Sequence, residues 1–136
     1  MTTETLTREA AQAVEFFERK LAFETGQVGV KYALENKEPV QIVDLRRPEL
    51  FARGHVPTAI NLLLEDLENK LEKLSKDKTT IVYCYNITCH LSARAALLLA
   101  KKGYPVKEMI GGYAEWEAAE LPVETRGGSC SSASCG

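Results

Sequence analysis

The amino-acid sequence predicts an α/β protein, a three-layer α/β/α sandwich around a central parallel sheet. Three observations carry that expectation. β-branched runs such as Val40–Leu45 and Thr79–Tyr83 alternate along the chain with amphipathic helical patterns. The connections between those runs are about twenty residues or more, which suits right-handed crossovers between parallel strands. The 136 residues are 45% apolar and 26% charged, a core large enough for one domain with little room for a second.

Taken in order, Thr7–Phe23 reads as a helix, with Ala10, Val14, Phe17 and Leu21 on one face of a 3.6-residue period. That face is expected to pack on the domain, and Gly26 suits a left-handed position after the helix end. A shorter helix spans about Val30–Asn36 and stops before Pro39. Val40–Leu45 fits a buried strand, and Pro48 disfavours helical backbone at Arg47. Leu64, Leu67, Leu71 and Leu74 mark a helix, on which Glu72 and Lys76 are read as an i,i+4 pair. Thr79–Tyr83 is the clearest strand, and Ser92–Lys102 the clearest helix, closed by Gly103 and Pro105. Val106–Ile110 forms a short strand, and a last helix covers Tyr113–Ala119 with Trp116 in the core. The predicted organisation is an amino-terminal helical extension packed on the domain (1–26), the domain itself (27–125) and a disordered Gly/Ser/Cys tail (126–136).

Charge and composition exclude several function classes. With 17 Lys+Arg against 19 Asp+Glu, the net charge of −2 offers no footprint for nucleic acid or an anionic membrane. The longest apolar run, Ala95–Ala100, is too short to cross a bilayer, and Met1–Arg8 lacks the pattern of a secretory signal. A cytoplasmic protein is expected, monomeric by default. In a reducing compartment Cys84, Cys89, Cys130 and Cys135 are more readily reactive or buried thiols than a disulfide framework.

Position singles out Cys84. In an open parallel sheet, ligands bind where strands end and the following helices begin. The strand ending at Tyr83 delivers Cys84 to that edge, and Tyr85–Ser92 leads into the best helix. Unsatisfied amides and the positive end of a helix dipole favour thiolate over thiol, and the same amides suit an anion above the sulfur. The expected design is a nucleophilic cysteine in an anion-binding cup walled by Tyr85, Asn86, Ile87, Thr88 and His90.

Seven segments then match in order and spacing. They are Val43-Asp-Leu-Arg46, Glu49 with Gly54-His-Val-Pro57, Ala59-Ile-Asn61, Ile81-Val-Tyr-Cys84, Ser92-Ala-Arg-Ala-Ala96, Gly103-Tyr104, and Gly111-Gly112 with Trp116. Over about residues 27–123 they resemble the rhodanese domain. The resemblance implies a single-domain sulfurtransferase in which Cys84 takes sulfur from a donor such as thiosulfate, becomes a persulfide, and passes the sulfur to a thiol or protein acceptor. No metal or organic cofactor is implied. Asp44 and Arg46 match residues that hold the active-site loops, and His55 most simply fixes a turn.

The sequence also departs from the family pattern. The usual loop is a cysteine, four residues, then Arg-Ser opening the helix; here Cys89 stands in place of arginine and two extra residues precede Ser92. With the donor-gripping cation missing, weak thiosulfate affinity or another donor is expected; His90 substitutes only in part, because imidazole is mostly neutral at pH 7. Three roles stay open for Cys89, placed at the helix start with Thr88 as N-cap: the sulfur-carrying nucleophile, a resolving thiol, or inert packing. A zinc site from His90 and the tail cysteines is a lesser alternative. Phosphatases and arsenate reductases of this fold need an arginine six positions after the cysteine, where this chain has His90. The rival from another class is a catalytically silent module that binds a protein or senses redox state through Cys84/Cys89.

Overall fold

A computed structural model describes residues 7–125 and the backbone of strand Gly128–Cys130. Its sheet is five-stranded and all-parallel. The strands are β1 (Glu24–Thr25), β2 (Val40–Asp44), β3 (Ile60–Asn61), β4 (Thr79–Tyr83) and β5 (Val106–Met109), in spatial order β1-β5-β4-β2-β3. Around them lie α1 (Arg8–Phe23), α2 (Gln27–Glu35), α3 (Pro48–Arg53), α4 (Leu64–Leu67) continued by a 3-10 turn over Glu68–Lys73, α5 (Leu91–Lys101) and α6 (Gly112–Ala118). The expected α/β sandwich is therefore the observed architecture.

Side-chain alternation along the strands builds two cores. Ile42, Ile81, Tyr83 and Met109 face one way and meet Val30 of α2 with Tyr113 and Trp116 of α6. Val43 and Val82 face the other and meet Leu67 of α4 with Ala95 and Leu99 of α5. The register pairs Val43 with Val82 and Asp44 with Tyr83, so both central strands end level at the edge that carries the site.

Several expectations need correction. Helix α1 forms, and Thr7 caps it by accepting from the Ala10 amide at 3.1 Å, yet none of its residues is buried. It lies beside β1 and β5 at the sheet margin, and Leu21 is 78% exposed. Gly26 is extended (φ −110°) and precedes α2, because the chain turns from α1 into β1 without a left-handed residue. The leucine-marked helix kinks at Lys70, and Lys76 lies past it, over the Tyr104 ring at 5.3 Å, so Glu72 and Lys76 are not helical neighbours. Helix α3 and strand β3 were not expected: Pro48 at the first helical position and the two-residue length of β3 make both poorly visible as periodicity. In the tail, Gly128–Cys130 forms strand β7, antiparallel to β6 (Val123–Thr125), where disorder was expected. Backbone pairing needs no apolar pattern, so that hairpin left no trace in composition. The rest of the 126–136 tail, including Cys135, lies outside the described residues.

Candidate active site

Cys84 follows the last residue of β4 and is 5% exposed. The loop after it reaches α5 at Leu91, with His90 rather than Thr88 in the N-cap position and no side-chain cap. Thr88 is instead tied down by Asn86, whose Oδ1 accepts from the Thr88 amide at 3.2 Å and from its hydroxyl at 2.8 Å. The Asn86 carbonyl accepts from the Cys89 amide at 3.1 Å. Two amides expected to face an anion are therefore engaged within the loop.

The loop carbonyls point elsewhere. Those of Cys84 and Tyr85 accept from the amides of Tyr113 (3.0 Å) and Ala114 (2.8 Å) at the start of α6. Only glycine permits this approach: a Cβ on Gly112 would lie 2.5 Å from the Cys84 carbonyl oxygen, and Gly112 has φ +61°. The glycine pair thus seats α6 beneath the loop.

The two loop cysteines are joined. Cys84 and Cys89 form a disulfide across a Cα–Cα distance of 6.4 Å, within the usual range for such bridges. Beside it is a cavity of about 20 Å³, room for roughly one water. Its lining brings together Cys84, Asn86, Ile87 and Cys89 with Ser92, Glu108 and Gly111-Gly112. Of the expected cup residues, Tyr85, Thr88 and His90 are exposed and outside this lining. Arg94 faces a separate surface groove with Glu68, Leu97 and Lys101.

Sequence reasoning missed Glu108. Its Oε2 accepts from the buried Ser92 hydroxyl at 2.6 Å, so a carboxylate stands in the pocket that was expected to receive an anion. The only available signal was its place near the end of β5, next to the central strand.

Asp44 ends β2, Arg46 follows two residues later, and the two are buried as a pair. Arg46 Nη2 donates to Asp44 Oδ2 at 2.7 Å and to the Gly54 carbonyl at 2.7 Å, and its guanidinium lies 4.0 Å over the Tyr113 ring. Burial alone would lower the Arg46 pKa, but the bond to Asp44 and its charge outweigh that, and the guanidinium is held charged. Tyr83 donates to Asp44 Oδ2 at 2.5 Å and accepts from the Val56 amide at 3.1 Å. Burial, and then the Asp44 charge, push its phenol well above the usual range. The network sits behind the loop, where it ties β2 and β4 to the Tyr113 ring of α6. His55 is likewise structural: Nδ1 meets the Phe51 carbonyl at 2.7 Å while its ring stacks on Phe51. Among the described residues, no three His, Cys, Asp or Glu side chains are gathered as metal ligands.

Comparison with known proteins agrees with this architecture. The family model for the rhodanese-like domain matches residues 29–119. The chain belongs to that family. Over 96 residues this rhodanese-like chain is 33% identical to the thiosulfate sulfurtransferase GlpE of Pseudomonas putida, covering 71% of this chain and 86% of that one. It is 34% identical over 85 residues to the HTH-type transcriptional regulator Rv0324 of Mycobacterium tuberculosis, covering 62% of this chain and only 38% of the regulator's length. Among solved structures, the BH2092 protein of Bacillus halodurans superposes with a TM-score of 0.81 at 31% identity, with 88% of each chain covered.

Proposed function

We propose that this rhodanese-like domain is a sulfurtransferase in which the Cys84 thiolate takes sulfane sulfur from a donor such as thiosulfate. The observation that carries the reading is Cys84's place, at the carboxyl end of a central parallel strand and the entrance to α5. In the first half-reaction the thiolate attacks the outer sulfur of thiosulfate, the donor's S–S bond breaks, and its electron pair leaves with sulfite. A thiol or protein acceptor then removes the sulfur from the persulfide. The α5 dipole favours the thiolate, and Asn86 and Ile87 line the small cavity beside Cys84. Cys84 must first be released from Cys89, so the enzyme acts in its reduced form, and we assign it to the cytoplasm, where a disulfide of this kind is transient. Among the described residues no helix is long and apolar enough to cross a membrane.

A second reading, a silent module that senses redox state through the same pair, is favoured by the disulfide and by the lack of a cation among the described residues of the cavity lining. Incubating reduced protein with thiosulfate, and separately with polysulfide, then weighing it intact, separates the two. The transferase gains one cyanide-labile sulfur in Cys89→Ser and none in Cys84→Ser. Loss of the gain only in Cys89→Ser would make Cys89 the carrier. No gain in wild type or Cys89→Ser with either donor ends the transferase reading.

A further inference from the structure

Sulfur transfer through Cys84 leaves its disulfide partner without a task and leaves a carboxylate where a donor-binding cation would be useful. We propose that Cys89 is a resolving thiol that attacks the Cys84 persulfide, closes the Cys84–Cys89 bond and expels the carried sulfur as sulfide, so that the protein reduces sulfane sulfur at the expense of a dithiol. This rests on the Cys84 persulfide proposed above.

Reach comes first. The Cys84 Sγ that Cys89 meets in the structure is also the inner sulfur of a Cys84 persulfide. In the reduced loop the attacking thiol therefore stands beside its electrophile, an intramolecular arrangement that replaces a bimolecular encounter. The loop bonds from Asn86 to Thr88 and Cys89 hold the turn that brings the two together.

Charge comes second. Glu108, hydrogen-bonded to buried Ser92, faces the same cavity as both sulfurs, and among the described residues no Lys, Arg or His lines it. A carboxylate there disfavours retention of an anionic persulfide and favours the protonated form, which is the better electrophile. It also gives the Cys89 proton an acceptor.

The step balances. The Cys84 Sγ–Cys89 Sγ bond forms, the bond from Cys84 Sγ to the sulfane sulfur breaks, and its electron pair leaves with that sulfur. The two cysteine sulfurs together lose two electrons, and the sulfane sulfur gains them. The Cys89 proton passes to Glu108 and from there to the departing sulfide. A small dithiol or a dithiol protein then restores both thiols and becomes a disulfide itself. Cys89 is the more exposed partner, so the reductant's thiolate attacks Cys89 Sγ and frees Cys84 as the leaving thiolate.

The test uses the full chain, reduced, freed of reductant and kept anaerobic, with excess thiosulfate, which yields sulfite on loading. Wild type is expected to release one sulfide for each sulfite in a single turnover and to finish with Cys84 and Cys89 cross-linked in peptide mapping. Cys89→Ser is expected to release sulfite, retain one added sulfur and lose at least tenfold in sulfide. Glu108→Gln is expected to slow sulfide release at least tenfold relative to sulfite release in the same sample. Wild type that keeps its added sulfur while Cys89 stays alkylatable overturns the inference and leaves the transferase standing. Cys89→Ser that takes up no sulfur from thiosulfate or polysulfide overturns both. Unchanged release in Glu108→Gln removes the proton role of Glu108.

Discussion

Tyr83 closes strand β4 one residue before Cys84, and its hydroxyl joins Asp44 Oδ2 to the Val56 amide inside the core. Removing that hydroxyl takes the side-chain acceptor from the buried Val56 amide and leaves Asp44 Oδ2 with Arg46 as its donor. Tyr83→Phe should therefore cost about 1–3 kcal/mol in urea unfolding. The same residue sets an alkaline limit. Its folded pKa is raised by burial and by Asp44, so folding holds the phenol protonated. The stability this contributes is complete below the unfolded phenol's pKa of about 10, and it falls as pH rises above that value. Unfolding followed between pH 9 and 11 should show a decline that is shallower in Tyr83→Phe; an equal decline would remove Tyr83 as its source. The Asp44–Arg46 pair could be anticipated from the segment Val43-Asp-Leu-Arg46. Tyr83's part could not, because a tyrosine in a β-branched run looks the same whether or not its hydroxyl finds a buried carboxylate.

The glycine pair and the first helix test how elements meet. Gly112 combines a positive φ with contact against the Cys84 carbonyl. Gly112→Ala should cost roughly 1–2 kcal/mol from the backbone alone, with more from the clash. It should also reduce sulfur loading per reduced Cys84, because the loop must shift to admit the methyl group. Helix α1 makes the opposite case. Its apolar spacing suggested burial, for which truncating a leucine costs about 2–5 kcal/mol. Leu21 is 78% exposed, so Leu21→Gln should change stability by no more than about 0.5 kcal/mol. A loss of several kcal/mol in urea titrations would show that the face is covered in solution. Strands β2 and β4 and helix α5 were legible because burial on a sheet or along a helix stripe imprints a period. The kink at Lys70 and the two-residue β3 were not, since each is shorter than the window that reveals a period.

At the scale of the whole molecule, the Cys84–Cys89 bond closes a loop with a sequence separation of only 5. A cross-link that short restricts the unfolded chain modestly, by about 2 kcal/mol. Reduction should lower Tm by on the order of 5 °C without unfolding the domain, measured by calorimetry with and without a dithiol. A collapse of the fold on reduction would contradict a working cycle that passes through free thiols. The local grammar of the chain was sufficient for the parallel sheet, the order of its main elements and the cysteine at the end of β4, because hydrophobic period and turn chemistry act between near neighbours. The arrival of Glu108 beside Ser92 and the loop cysteines, and the exposure of α1, depended on how distant segments pack. Side chains far apart in the chain are brought together by sheet register and helix docking, and no short window of residues encodes those distances.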